Sequence, residues 1–336
     1  MDALKNIRSK LNQKKSLNAV EMTEAMEAIV TGKVPDVWIE TFLVGLREKG
    51  ETPGEITAAA KVMRRHAVKL SKHFKGLLDT CGTGGDAKNT LNVSTLAAIV
   101  AASAGVTVAK HGNRSVSSAC GSADLLESLG IRIDCKAAEV ERSIEKSHFG
   151  FFFAPHFHPA TRFAMPARKK IKGKTLFNLL GPLSNPAAAD YQLIGVYDDR
   201  WVEPLARVLS ALGLKRALVV HGSDGMDEIT TRGKTKVAEL VNSQIKCYTL
   251  SPEEFGIKKP GTDELICRTK EENKKAALQV LRGTSSQAAG DIVCLNAGAA
   301  LYVAGKAASI VKGLELARQT IASGAAAKKL EELQKI

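Results

Sequence analysis

Residues 79–95 read Asp-Thr-Cys-Gly-Thr-Gly-Gly-Asp-Ala-Lys-Asn-Thr-Leu-Asn-Val-Ser-Thr. A short apolar run leads into Gly82, Gly84 and Gly85, and a helix-forming run begins at Thr95. Strand, flexible turn and helix start in that order make an anion site. Glycine reaches positive φ and lets a ligand approach the main chain. A helix start offers unpaired N–H groups and the positive end of its dipole. A phosphate is the anion that suits it best. The flanks agree. No Asp or Glu occurs from 87 to 123, although the chain carries 35 acids, and Lys88, Lys110, His111 and Arg114 fall in the same window. A bound polyanion accounts for the gap, because a nearby carboxylate would repel it. Burial of 96–109 would thin the acids as well.

Other groups could share the chemistry. Asp86 can accept from a sugar hydroxyl or organise the turn as an Asx residue. Ser94 and Thr95 suit a helix N-cap, and the same hydroxyls can hold phosphate oxygens or Mg2+. Lys110 ends a predicted strand, and a polar turn with His111, Gly112, Asn113, Arg114 and Ser115 follows it. In open α/β sheets ligands sit beyond the carboxyl ends of strands, so this turn and the glycine turn face one crevice. Asp227 and Glu228 follow another predicted strand. Opposite a phosphate, an adjacent carboxylate pair suits Mg2+. Arg168 is either a surface residue or a bidentate grip for a carboxylate. His156 and His158 form an HxH pair without a third ligand and read as loop residues. The turn formally fits GxGxxA, but the acid about 20 residues on that a dinucleotide requires is missing. No GK[ST] ending makes it a Walker A loop.

The elements that carry these residues change texture near residue 75. Before it, four segments of helical period run near 2–14, 19–31, 36–49 and 53–68, with Pro35 and Pro53 near helix starts and Gly32 and Gly50 after helix ends. After it, apolar runs at 77–80, 106–110, 151–154, 193–197, 217–221 and 237–241 alternate with helical stretches near 94–104, 122–129, 137–148 and 201–212. The alternation predicts an α/β fold with a mainly parallel sheet. A proline-rich stretch at 155–186 reads as a crossover or hinge returning to the helical unit, and the tail from about 270 is helical. The expected division is a helical domain over 1–72, joined by part of 160–186, and an α/β domain over 73–336.

Composition narrows the function classes. With 336 residues, 44% hydrophobic and 25% charged, the chain is an ordinary folded protein. No apolar run reaches the roughly 18–20 residues of a membrane span. The amino terminus lacks a signal-peptide core, so a cytoplasmic location is expected. Six cysteines without a CxxC pair suit a reducing compartment. The net charge of +13 allows a nucleic acid or a phosphorylated metabolite. Aromatic residues at 5% offer few stacking platforms for single strands, so no nucleic-acid partner is expected.

Seven segments in order carry a resemblance. GTGGD at 82–86, NVST at 92–95, KHGNRSVSS at 110–118, GSADLLESLG at 121–130, FAPHFHPA at 153–160, FNLLGPLSNP at 177–186 and DGMDE at 224–228 closely resemble the anthranilate phosphoribosyltransferase family. The resemblance spans nearly the whole chain. It implies transfer of phosphoribose from phosphoribosyl pyrophosphate to the amine of anthranilate, within tryptophan synthesis, on the nucleoside phosphorylase/phosphoribosyltransferase-like fold. By the same resemblance the donor lies on Gly82, Gly85, Asp86, Thr90, Asn92, Val93, Ser94 and Thr95. Lys110, His111, Gly112, Asn113, Arg114, Ser115, Ser117, Ser118 and Ser122 complete that side. Gly82, Asn113 and Arg168 meet anthranilate, and Ser94, Asp227 and Glu228 hold Mg2+ directly or through water. No covalent nucleophile is implied, and a homodimer joined through the helical unit is. Lys174 stands where the family often has arginine, a departure with no expected effect on the chemistry. The alternatives are a pyrimidine nucleoside phosphorylase, whose loop reads like KHSTGG, and a basic non-catalytic nucleic-acid-binding protein.

Overall fold

The computed structural model describes residues 2–86, 88–115, 119–261 and 263–336. Four helices open the chain: α1 (Asp2–Asn12), α2 (Ala19–Val30), α3 (Asp36–Lys49) and α4 (Pro53–Arg65). Side-chain caps set two of their starts. Asn18 accepts the Val20 and Glu21 N–H groups while Glu21 takes the Asn18 N–H, and Thr52 and Glu55 form the same reciprocal box. Buried Glu55 also accepts from Leu17 N and Lys49 Nζ, both at 2.8 Å, which pins the α1–α2 connection to α4.

The remainder is an α/β unit. It runs β1 (Leu78–Gly82), α5 (Val93–Ser103), β2 (Val108–Gly112), α6 (Ser122–Ser128), α7 (Ala137–Ser147), β3 (Phe149–Phe153), α8 (Ala154–Phe157), α9 (Met165–Lys170), α10 (Leu176–Leu183) and β4 (Tyr191–Gly195). It continues with α11 (Val202–Ala211), β5 (Arg216–Gly222), β6 (Thr235–Val241), β7 (Gln244–Leu250), α12 (Lys270–Leu281), α13 (Gln287–Val303), α14 (Ile310–Ala322) and α15 (Ala325–Leu333).

One seven-stranded sheet has the order β3-β2-β1-β4-β5-β6-β7. The first five strands are parallel, and β6 and β7 join antiparallel at one edge. Chain order reverses between β1 and β4, where the crossovers leave in opposite directions and open a crevice at the carboxyl ends. Gly82 pairs with Gly195 at that point. One face of the sheet buries α5 and α13 with Leu96, Ile99, Ile292 and Leu295. On the other face α10, α11 and the four opening helices share a continuous core through Ile56, Leu180, Leu205 and Val219. Arg64 of α4 donates to the Leu183 carbonyl at 2.7 Å, tying the helical unit to the end of α10.

The mainly parallel α/β fold with a small helical unit agrees with the sequence reading. Four elements do not appear in it: β7 and the helices α8, α9 and α10. β7 follows β6 through a two-residue hairpin in which Asn242 and Ser243 take φ of 48° and 68°. Asn is tolerant of that conformation and Ser is not, so the Asn-Ser pair gave a weaker turn signal than Asn-Gly. The helices α9 and α10 lie inside the proline-rich stretch. Pro166 sits in the first turn of α9, where its missing N–H is harmless, and Pro182 sits in the last turn of α10.

Candidate active site

The glycine turn leaves the carboxyl end of β1, and the turn from His111 onward leaves that of β2. The loop carrying Asp227 and Glu228 follows β5 and folds back over β1 and β4. Two glycines allow it to do so. A Cβ on Gly195 would overlap the Asp227 carbonyl, and one on Gly82 would overlap the Asp227 carboxylate. Asp227 Oδ2 accepts from Gly84 N at 2.9 Å, and Glu228 Oε1 accepts from Ser94 N at 3.0 Å. Glu228 therefore satisfies an N–H in the first turn of α5. The N-cap itself is Asn92, and its side chain turns away to the Cys120 carbonyl and to Asn273. The expected capping by Ser94 or Thr95 is thus replaced by a carboxylate from another loop.

These segments enclose a cavity of about 490 Å3. Of the residues picked out from the sequence, Gly82, Gly85, Asp86, Thr90, Asn92, Val93, Ser94, Lys110, His111, Gly112, Asn113, Arg114, Ser115, Ser122, Arg168, Asp227 and Glu228 line it. Thr95 does not. It is fully buried one position further into α5, and its hydroxyl has no hydrogen-bond partner among the described residues. Ser117 and Ser118 lie outside the described residues. Arg114 lines the cavity, but its guanidinium is already held by Glu127 at 2.7 and 2.8 Å and by Asp124 at 3.1 Å.

Lys110 is buried, 1% exposed, and donates to the Thr80 carbonyl at 2.6 Å with Ser94 Oγ 3.5 Å away. Burial pulls its pKa down, and the Asp79 charge works against that fall. Sequence reasoning passed over Asp79, which is fully buried behind the site. One of its oxygens accepts from His111 N at 3.2 Å. The other accepts from Asn185 Nδ2 at 2.8 Å and Gln192 Nε2 at 3.3 Å. Burial raises this carboxyl to about 6 despite Lys110. The network ties β1, β2, β4 and the end of α10 together under the cavity. Its sequence signal was an acid inside a predicted strand.

Arg168, Phe177, Asn178 and Gly181 from α9 and α10 also line the cavity, and the Gly181 carbonyl meets His111 Nδ1 at 3.0 Å. The Arg168 guanidinium lies 5.0 Å from the Phe177 ring centroid, and burial lowers its pKa. Among the described residues it donates a hydrogen bond only to the Met165 sulfur at 3.6 Å, a weak acceptor. The ring covers one face of the guanidinium and leaves edge N–H groups for a planar carboxylate.

The carboxylate pair fits a hard divalent cation. Burial raises both pKa values, the neighbouring Asp86 charge adds to the rise at Asp227, and the Asp227 charge adds to it at Glu228. Clustered carboxylates strained in this way are relieved by a cation. Among the described residues no three His, Cys, Asp or Glu side chains gather into a metal-holding set. Mg2+ is a hard cation that suits such a carboxylate pair, because it keeps several waters and shares phosphate oxygens.

Comparison with known proteins accords with this geometry. Residues 2–67 match the glycosyl transferase family helical bundle domain, and residues 75–327 match the glycosyl transferase family a/b domain. The anthranilate phosphoribosyltransferase of Petrotoga mobilis is 50% identical over 318 residues, covering 95% of this chain and 92% of its own. The chain belongs to the anthranilate phosphoribosyltransferase family. The crystal structure of the anthranilate phosphoribosyltransferase from Thermus thermophilus matches it with a TM-score of 0.93 and 44% identity, covering 100% of this chain and 99% of its own. The Saccharomyces cerevisiae anthranilate phosphoribosyltransferase in complex with PRPP and Mg matches with a TM-score of 0.90 and 26% identity, covering 99% and 97%. A second structure of the yeast enzyme holds 4-fluoroanthranilate. Among the described residues no helix is long and apolar enough to cross a membrane.

Two predictions concern how the site is built. Gly195→Ala is expected to push the Asp227 backbone off the sheet, costing about 1–3 kcal/mol of stability and most anthranilate phosphoribosyltransferase activity. Gly54→Ala, at a helix position where a Cβ would meet only Thr52 Oγ1 at an ordinary contact distance of 4.0 Å, is the control and should leave activity unchanged and stability no lower. Thermal melts and turnover measure the two effects.

The second concerns acid stability. His111 and His158 pack with ring centroids 5.0 Å apart. Burial lowers His111 to about 3 and His158 to about 4. The unfolded chain binds these protons more tightly than the folded one. Stability is therefore full above pH 6.5 and is lost as pH falls toward 4. For His158 the loss between pH 7 and 5 amounts to about 2 kcal/mol. Asp79, an acid with a raised pKa, works in the opposite sense between about 4 and 6. The test is thus a difference. The stability gap between wild type and His158→Gln, from denaturant titration, should move in the variant's favour by about 2 kcal/mol from pH 7 to 5. A constant gap would contradict a buried neutral His158.

Proposed function

We propose that this chain transfers phosphoribose from phosphoribosyl pyrophosphate to the amine of anthranilate, releasing pyrophosphate. One observation carries the reading. A single cavity joins a glycine turn suited to phosphate with an arginine–phenylalanine pair suited to an aromatic carboxylate, in a chain of this family. Alternative activities as a nucleoside phosphorylase or a nucleic-acid-binding protein give way to it. The relatives 47–50% identical over nearly the full chain carry the transferase name.

The donor's pyrophosphate lies on the N–H groups of Gly85 and Asp86, since Thr83 N and Gly84 N already donate to the Gly195 carbonyl and to Asp227, with the Ser94 hydroxyl, the start of α5 and the neighbouring Lys110 ammonium beside it. Thr90, Asn92 and the 111–115 turn hold the rest of the donor. Asp227 and Glu228, with Ser94, would hold Mg2+, which supplies charge neutralisation for the leaving diphosphate. As the bond from ribose C1 to pyrophosphate breaks, Lys110 and the turn amides stabilise the negative charge that leaves. Arg168 takes the anthranilate carboxylate and Phe177 its ring, so the amine points at C1, an effect of position and orientation. That aromatic amine is neutral at pH 7, and it attacks without a strong base.

The wider reading includes a cytoplasmic enzyme, division near residue 72, and a homodimer through the helical unit. Val20 of α2 and Val37 of α3 are 66% and 64% exposed, which supports an interface there. Closure of the 160–186 hinge would exclude the water that hydrolyses the donor. The direct test is anthranilate fluorescence. The signal should fall only when donor and Mg2+ are both present, and a signal steady with both contradicts the reading.

A further inference from the structure

Lys174 lies between α9 and α10, six residues after Arg168, and it lines the same cavity as Lys110. Its ammonium sits 3.4 Å from the centroid of the Tyr197 ring. That ring is fixed at both ends. Tyr197 N donates to Thr83 Oγ1 at 3.0 Å, and Trp201 Nε1 donates to the Tyr197 hydroxyl at 3.1 Å. The lysine stem passes over the glycine turn. A Cβ on Gly85 would lie 3.1 Å from Lys174 Cε and 3.5 Å from Nζ. Asp227, Asp86 and Asp198 all attract the ammonium, yet none forms an ion pair with it among the described residues. An aromatic face guides the cation from one side, and the turn passes within reach of it.

We propose that Lys174 is a donor-binding residue whose ammonium grips the pyrophosphate on the Gly85 side of the turn. The inference rests on the transfer reading above and adds a residue to it. Asp86 and Asp227 stand close enough to attract the Lys174 ammonium, and a diphosphate brought to the turn adds to that negative charge. Lys174 and Arg168 belong to one short segment, so seating the diphosphate also fixes the segment that receives the acceptor.

The alternative is a strut that merely offsets Asp86 and Asp227. Lys174→Met and Lys174→Gln, with Lys174→Arg as the conservative variant, separate the two. Loss of a charge-assisted contact should raise the donor KM about tenfold to a hundredfold. The inhibition constant for pyrophosphate should weaken in parallel, and the anthranilate KM at saturating donor should stay within about threefold. Lys174→Arg should recover most of the loss, and melting temperatures should match wild type. Calorimetric titration of inorganic pyrophosphate with Mg2+ into wild type and Lys174→Met measures the same contact without turnover. Weaker binding by the variant supports the assignment even if wild type transfers nothing, an outcome that would sink the transfer reading alone. Equal pyrophosphate binding by both proteins overturns the role of Lys174. So does a matched rise in both KM values with a lowered melting temperature.

Discussion

Converting Asp227 to Asn and Glu228 to Gln together is expected to lower turnover about a thousandfold, equivalent to about 4 kcal/mol of transition-state stabilisation. It is also expected to abolish the response to Mg2+. The two carboxylates are half-buried, adjacent and close to Asp86, and burial with mutual repulsion raises both pKa values. Amides of similar shape keep acceptors for Gly84 N and Ser94 N, so the loop has reason to stay in place. What disappears is the charge that would hold the cation. Chelation of Mg2+ should bring wild type down to the level of the double variant and leave the variant unchanged. A double variant with a normal magnesium titration would place the metal elsewhere.

Arg168→Ala carries the second large effect, and it falls on one substrate. The guanidinium stacks on Phe177 and, among the described residues, donates a hydrogen bond only to a sulfur acceptor. Removing a carboxylate's partner costs about 1.5–3 kcal/mol. The anthranilate KM should therefore rise about tenfold to a hundredfold, while the donor KM changes by less than about threefold. Arg168→Lys should recover little, because an ammonium cannot make the two parallel bonds of the guanidinium edge. Equal rises in both KM values would remove Arg168 from the acceptor end.

The turn proposed to hold phosphate was legible because its determinants are local. Glycine spacing, a helix start and an absence of acids lie in one stretch of chain, and strand-end logic brings Lys110 and Asp227 to it. The proposed acceptor end was less so: Arg168 read as either a surface residue or a carboxylate grip, and the family resemblance chose between the two and supplied Gly82 and Asn113. Phe177, Asn178 and Gly181 sit on α10, a short helix in a segment whose prolines read as loop. Their place depends on α10 packing back onto α4, a long-range contact with no sequence period of its own. Asp79 escaped notice for a related reason. An acid within an apolar strand gains meaning only when Asn185, Gln192 and the His111 amide converge on it from three other segments. Thr95 lies one step further along the helix than Ser94, with its side chain in the core and not on the cavity wall.

The account stands on the diphosphate of the donor resting on the Gly82–Asp86 turn. A crystal structure of the protein with phosphoribosyl pyrophosphate and Mg2+ tests this most directly. It should show diphosphate oxygens within hydrogen-bond reach of the turn's amides and the metal beside Asp227 and Glu228. A diphosphate seated away from that turn would contradict the account.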